Sequence, residues 1–257
     1  MPALRNWKGC LAVDDLRVMT STGIAGLRPF WPSDYSGLIV RHLMRHPGLV
    51  QGRQVLDLGT GSGVLAGTAL QLGASEVMAT DLDPDALHLA EDRLARIAPE
   101  AHVQLRQGAM WDAVAPDQRF DLVLANLPNF PAGQIEGGTR ATFWSVGGAD
   151  GRMVLDPFLA GLPRRLRQGG SAVFTQNRCV GLQLTLERLA EAGCGARVAE
   201  TALVPVGPDK LAALSKISHE PEGLIEMAGF VFLEVALVVA TRTGSERRSI
   251  PGQEEPA

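Results

Sequence analysis

From residue 53 the chain alternates between short apolar runs and longer amphipathic segments. The runs at 54–58, 76–80, 102–106, 120–125 and 171–176 predict strands, and 63–72, 84–97, 151–167 and 180–193 predict helices. Asp83-Pro84 supplies an N-cap and a first-turn proline for the helix at 84–97. Gly169-Gly170 and Gly193 are placed to stop the last two helices. Strands alternating with helices predict a doubly wound α/β fold, its mostly parallel sheet covered on both faces. After residue 195 the pattern changes. Residues 197–206 predict a strand, a polar stretch with no clear helix follows through Glu226, and 230–240 predict a second long strand. Two such strands in succession predict an antiparallel finish.

The flanks read differently. Residues 1–50 form an extension and cap, with an ordered turn at 28–34 and a helix over 35–46. The main domain spans 51–242, and the charged, Gly-, Pro- and Ser-bearing stretch 243–257 predicts a disordered tail. Within the main domain, 205–229 lies between two strong strands and reads as an insertion that covers the substrate.

Composition narrows the function classes. With 46% hydrophobic residues the chain can build a substantial core, and a net charge of −4 provides no chain-wide basic field for nucleic acid or an anionic membrane. The most apolar stretch, 229–240, is interrupted by Glu234 and is too short to span a bilayer. The start, Met1-Pro2-Ala3-Leu4-Arg5, has no signal-peptide core. The cysteines, Cys10, Cys179 and Cys194, are scattered without metal-ligand spacing, so the reading is a cytoplasmic protein with neither disulfide framework nor metal site.

Three segments carry candidate chemistry. In the first, Val55-Leu56-Asp57-Leu58 runs into Gly59-Thr60-Gly61-Ser62-Gly63 and then an apolar helix start. Strand, tight loop and helix in that order present backbone N–H groups to a ligand. The glycine spacing is G-x-G-x-G, not the G-x-G-x-x-G of dinucleotide binders, and entry through Asp57 suits a ligand bearing a cationic amino group, such as S-adenosylmethionine. In the second, Asp81 ends the following strand, where a carboxylate can accept hydrogen bonds from both ribose hydroxyls. In the third, the strand 120–125 ends in Asn126-Leu127-Pro128-Asn129-Phe130. The Asn126 side-chain carbonyl and the Leu127 backbone carbonyl, its turn fixed by Pro128, can accept from one N–H₂ group and orient its lone pair. These three loops converge at the carboxyl ends of the strands.

With those residues in view, the chain resembles the class I S-adenosylmethionine-dependent methyltransferases, and more narrowly their HemK-like branch of glutamine N5-methyltransferases. The resemblance rests on D-L-G-T-G-S-G at 57–63, T-D-L-D-P-D-A-L at 80–87, N-L-P-N at 126–129, and G-G-A-D-G-R at 147–152. It covers roughly residues 30–195 and extends to a proline-bearing approach with a hydroxyl residue before a leucine-rich helix (Pro32, Ser36, Leu38). It implies a Rossmann-like, seven-stranded sheet with an antiparallel C-terminal strand. It also implies that Asp57, Gly59, Thr60, Gly61 and Gly63 hold the methionine portion of the cofactor and Asp81 the ribose. Leu82 would lie against the adenine and Asn126, Leu127 and Pro128 at the acceptor nitrogen; Met110 and Trp111 are further cofactor-binding candidates, Trp111 as a ring that either stacks on the cofactor or packs in the core.

The chain departs from the branch at Leu127 and Asn129, where the family carries Pro and Tyr, and at Ala109, where an acidic residue often faces the adenine. Phe130 is the ring available to take the tyrosine's place. Asn129, Phe130, Trp31 and Tyr35 are accordingly the expected substrate contacts, with Asp34, His42 and Asp150 as possible proton-handling groups that also suit capping. About fifty residues precede the sheet, too few for the N-terminal helical domain of the bacterial release-factor enzymes. The expected reaction is methyl transfer to an amide, amine or guanidine nitrogen, with a small molecule preferred over a protein glutamine as acceptor. A nucleic-acid base methyltransferase, a non-catalytic cofactor-binding module and a nicotinamide-dependent dehydrogenase remain as alternatives.

Overall fold

A computed structural model describes residues 32–132, 145–215 and 222–243. In chain order the elements are α1 (Asp34–Arg45), β1 (Gln54–Leu58), α2 (Val64–Gln71), β2 (Glu76–Asp81), α3 (Pro84–Ile97), β3 (Val103–Gln107), β4 (Phe120–Ala125), α4 (Leu155–Arg165), β5 (Leu166–Asn177), α5 (Leu182–Glu191), β6 (Cys194–Pro205), α6 (Pro208–Leu214), β7 (Leu224–Met227) and β8 (Phe230–Arg242). The sheet runs β3-β2-β1-β4-β5-β8-β6. The first five strands in that order are parallel to one another, and β8 runs antiparallel to both β5 and β6.

Why the sheet forms is visible in its central strands. Val55–Leu58 of β1 and Leu122–Ala125 of β4 are buried at every position, as strands covered on both faces must be. One face carries α1, α2 and α3, packed through Leu38, Ile39, Leu43, Leu65, Ala90 and Leu94 on Val55, Val77 and Leu122. The other carries α4 and α5, packed through Leu155, Phe158, Leu162 and Leu189 on Leu56, Val123 and Phe174. The strand order reverses between β1 and β4, and in such sheets a crevice opens there, beyond the carboxyl ends of the strands.

The structure revises three local expectations. The sheet has eight strands, because the short β7 pairs with the start of β8 across a turn at Ala228 and Gly229. A seven-residue helix, α6, occupies part of the stretch read as helix-free. And α4 stops before Gly169-Gly170. Those glycines lie inside β5, where its register against β4 shifts, and a Cβ on Gly170 would come within 2.9 Å of the Arg167 carbonyl oxygen. Trp31, most of the 1–50 extension and the tail from 244 fall outside the described residues.

α1 is anchored at its far end. Arg41, His42 and Arg45 all bond Glu200 on β6, at 2.8, 3.0 and 3.3 Å. His42 is buried in that contact, away from the crevice, and Asp34 is exposed in the first turn of α1. No helix among the described residues is long and apolar enough to cross a membrane.

Candidate active site

The glycine loop is built around two carboxylates. Asp57, at the end of β1, is fully buried. Its Oδ2 accepts from Thr60 Oγ1 at 2.7 Å and from the Ala66 backbone N–H at 2.9 Å. Gly63, the N-cap position of α2, has no side chain to bond that helix's open N–H groups, and Asp57 does so instead. The other oxygen, Oδ1, has no protein partner. Burial pushes the Asp57 carboxyl up to about 6, against the lowering effect of its two hydrogen bonds.

Asp81 ends β2. Its Oδ2 accepts from Gly61 N at 2.8 Å and its Oδ1 from Asp83 N at 3.0 Å, and the carboxylate is half-buried. Burial also raises this carboxyl above its ordinary range.

The backbone N–H groups do not face outward as the sequence suggested. Gly59 and Thr60 both donate to the Thr80 carbonyl, at 2.9 and 2.8 Å, Gly61 donates to Asp81, and Gly63 donates to the Thr60 carbonyl. Donors turned inward beside two carboxylates make a poor anion nest and a good cation site. Gly59, Gly61 and Gly63 all have positive φ. At Gly63 a Cβ would lie 3.1 Å from Ala90 of α3, so this glycine also serves helix packing.

S-adenosylmethionine fits this donor set. The orphaned Asp57 Oδ1 would accept from its ammonium group, and Asp81 would take its ribose hydroxyls. Leu82, 67% exposed just after β2, would give the adenine an apolar surface. Met110 lies close by in the left-handed region, φ 49°, an unusual place for a non-glycine residue.

Trp111 packs on α4: its ring stacks on Phe158 at 5.7 Å, its Nε1 donates to the Pro157 carbonyl at 3.1 Å, and the indole lies where a Cβ on Gly161 would be 2.2 Å away.

The N-L-P-N turn is held by the end of β5. Asn126 is half-buried; its Nδ2 donates to Ser36 Oγ at 2.9 Å and Ser33 Oγ at 3.2 Å, and its Oδ1 accepts from Thr175 Oγ1 at 2.9 Å. Asn129 is buried instead of facing a substrate. Its Nδ2 donates to the carbonyls of Leu127 (2.8 Å) and Thr175 (3.2 Å), and its Oδ1 accepts the Asn177 N–H at 2.8 Å. Asn177 Nδ2 returns a bond to the Asn129 carbonyl, and Tyr35 OH donates to Asn177 Oδ1 at 2.6 Å.

Phe130 is likewise not a substrate platform. It is 1% exposed, packed with Ala132, Leu214 and Leu233, with Lys210 Nζ 5.0 Å from its ring centre. That 129 and 130 point inward is not legible in the sequence, because a turn after a strand breaks the alternation that would reveal it.

The G-G-A-D-G-R segment buttresses the same turn. A Cβ on Gly147 would be 2.8 Å from Asn129 Cα, and one on Gly151 2.9 Å from the Asn129 carbonyl oxygen. Arg152 ties the segment to the β5–α5 connection through Val180 O, Thr185 Oγ1 and Asp156, and Asp150 Oδ1 accepts the Arg152 N–H at 2.9 Å. Asp150 therefore serves the loop. Reasoning from sequence missed Ser33, Thr175 and Asn177. All three are ordinary polar residues by type, and only the β4–β5 register brings Thr175 and Asn177 alongside the turn.

Comparison with known proteins finds methyltransferases. Residues 43–129 match the family model described as ribosomal protein L11 methyltransferase. A Methanocaldococcus jannaschii protein assigned as a protein N5-glutamine methyltransferase is 27% identical over 175 residues, 68% of this chain and 85% of that one. A release factor glutamine methyltransferase of Koribacter versatilis is 40% identical over 76 residues, so the chain spans only 26% of its length against 29% of its own. In fold, the chain is similar to the E. cuniculi Mtq2-Trm112 complex structure, described as responsible for methylation of the eRF1 translation termination factor. The TM-score is 0.54 at 19% identity, covering 83% of this chain and 98% of that one.

Proposed function

The chain is a class I S-adenosylmethionine-dependent methyltransferase with HemK-like motifs, and from that premise we propose that it methylates the side-chain amide nitrogen of a glutamine in a protein. The observation that carries this reading is the pair of acceptors at the end of β4. Asn126 Oδ1 and the Leu127 carbonyl each take one bond from the protein, from Thr175 and Asn129, and each keeps a lone pair. Two acceptors side by side suit a group with two N–H bonds.

An amide nitrogen is a weak nucleophile because its lone pair is delocalised. Hydrogen bonds from its N–H₂ to Asn126 and Leu127 return electron density to nitrogen and fix its direction of approach. When bound, S-adenosylmethionine supplies a methyl carbon on a cationic sulfur; transfer forms one C–N bond, breaks one C–S bond and releases one proton from nitrogen. The protein contributes position, and positioning of this kind lowers a barrier by about 7–11 kcal/mol in favourable cases.

A small-molecule acceptor is the reading the sequence alone favoured. A protein acceptor has better support: the archaeal and bacterial relatives bear protein-glutamine names, and the tyrosine whose absence argued against it is replaced by a buried asparagine that serves the turn. Leu203, Met227 and Phe230, 51%, 64% and 67% exposed, also share one face of the β6–β8–β7 end by register, an apolar surface of the kind that meets other proteins. The 205–229 segment packs Leu214 and Leu224 on Phe130 beside the turn, and we assign it as a wall of the acceptor site.

The test is transfer of an isotopically labelled methyl group, read by mass spectrometry, onto a glutaminyl peptide, a folded protein extract and free glutamine. Label on a glutamine side chain of peptide or protein supports the proposal. Label only on free small molecules, or on nucleic acid, overturns it.

A further inference from the structure

We propose that Ser36 and Thr175 are positioning residues that clamp the Asn126 carboxamide from two different parts of the fold; the inference rests on the reading of Asn126 as an acceptor-orienting group. Thr175 reaches it from β5 and Ser36 from the first turn of α1, each at 2.9 Å, with Ser33 completing the contact at 3.2 Å. Thr175 is 1% exposed and Ser36 6%, so the clamping hydroxyls are themselves buried while Asn126 between them is half-buried.

A carboxamide on a strand end turns freely about its last torsion unless both its ends are bonded. Here each end has a partner. With Nδ2 directed to the two serines and Oδ1 bonded once by Thr175, the remaining lone pair of Oδ1 is the group offered to a ligand. Thr175 acts twice, since its carbonyl also accepts from Asn129, which in turn bonds the Leu127 carbonyl. One residue of β5 thereby sets both acceptors. Ser36 holds its place because α1 is tied to β6 through Glu200 and packs Ile39 and Leu43 into the core.

The experiment compares Thr175→Val, Thr175→Ser, Ser36→Ala and the unaltered chain, using a glutaminyl peptide as acceptor. The clamp predicts that Thr175→Val and Ser36→Ala lower kcat about 10- to 100-fold, the scale of a small misplacement, while KM and S-adenosylmethionine affinity stay within about threefold. Thr175→Ser, which keeps the hydroxyl, recovers most of the rate.

A second reading needs no turnover. The Asn126 side-chain amide resonances, identified by their loss in Asn126→Ala, exchange slowly with solvent in the unaltered chain and fast in Ser36→Ala. Undiminished kcat in Thr175→Val overturns the clamp, as does a Thr175→Ser variant as slow as Thr175→Val. If the unaltered chain does not methylate the peptide, the proposed function fails first. The clamp then stands or falls on the amide exchange, and unchanged exchange in Ser36→Ala overturns it.

Discussion

Asn129 Oδ1 accepts the Asn177 backbone N–H at 2.8 Å, fastening the turn after β4 to the end of β5. The same side chain donates to Leu127 and Thr175, so one buried amide organises the turn that carries Asn126. In this chain position 129 is a brace, and Gly147 and Gly151 are pressed against the backbone of Asn129.

Asn129→Ala leaves the Leu127 and Thr175 carbonyls and the Asn177 N–H without that partner in a buried setting. Unmade buried hydrogen bonds cost about 1–3 kcal/mol each, and partial relaxation brings the expected loss to roughly 3 kcal/mol. Thermal and denaturant unfolding measure it. A change below about 0.5 kcal/mol would show the network to be dispensable.

Asn126→Ala is expected to act on chemistry instead. Its kcat should fall about 100-fold while S-adenosylmethionine affinity changes less than about threefold, since the glycine loop and Asp81 stay intact. Calorimetry and steady-state kinetics on one preparation separate the two. Equal losses in both would move Asn126 from the acceptor to the cofactor.

Asp57 gives a pH signature with a defined sign. Its folded pKa of about 6 lies above the ordinary 3.8 because burial disfavours the charge. Between those values the folded chain binds more protons than the unfolded chain, so Asp57 makes folding less favourable as pH rises through that window. The effect reaches roughly 3 kcal/mol above pH 6 and vanishes below pH 3.8. The stability of the unaltered chain minus that of Asp57→Asn should therefore fall from pH 4 to pH 7. Cofactor affinity should run the other way, weakening below pH 6 as the acceptor for the ammonium group takes a proton. A pH-independent affinity between 5 and 7 would remove Asp57 from the cofactor site.

Trp111 should be silent toward the cofactor. Trp111→Phe is expected to leave S-adenosylmethionine affinity within about threefold. Gly161→Ala, which sets a methyl against the indole, should destabilise the chain by about 1–3 kcal/mol through overpacking. A tenfold affinity loss in Trp111→Phe would return the indole to the adenine.

The sheet was legible because its strands are covered on both faces: Val55 to Leu58 and Leu122 to Ala125 read as continuous apolar runs, and Asp83-Pro84 marked a helix start that the structure keeps. The places of Asp57 and Asp81 at the ends of β1 and β2 were legible from their distance to the glycines. The direction of the loop's N–H groups was not, since Gly59 and Thr60 donate to Thr80, a residue of another strand. Neither was the inward turn of Asn129 and Phe130, which depends on how β5 and α6 close over them. The packing of Trp111 was not legible either, since its partner Phe158 lies far along the chain.

The proposed cofactor site beside β1 and β2 depends most on Asp81. Titration of S-adenosylmethionine into the unaltered chain and into Asp81→Asn, both followed by calorimetry with folding checked by circular dichroism, tests this directly. Loss of hydrogen bonds to a charged acceptor, worth about 1.5–3 kcal/mol each, predicts at least a tenfold weaker Kd in a folded Asp81→Asn chain. Equal affinity in the two, or no binding to the unaltered chain at millimolar cofactor, would contradict it.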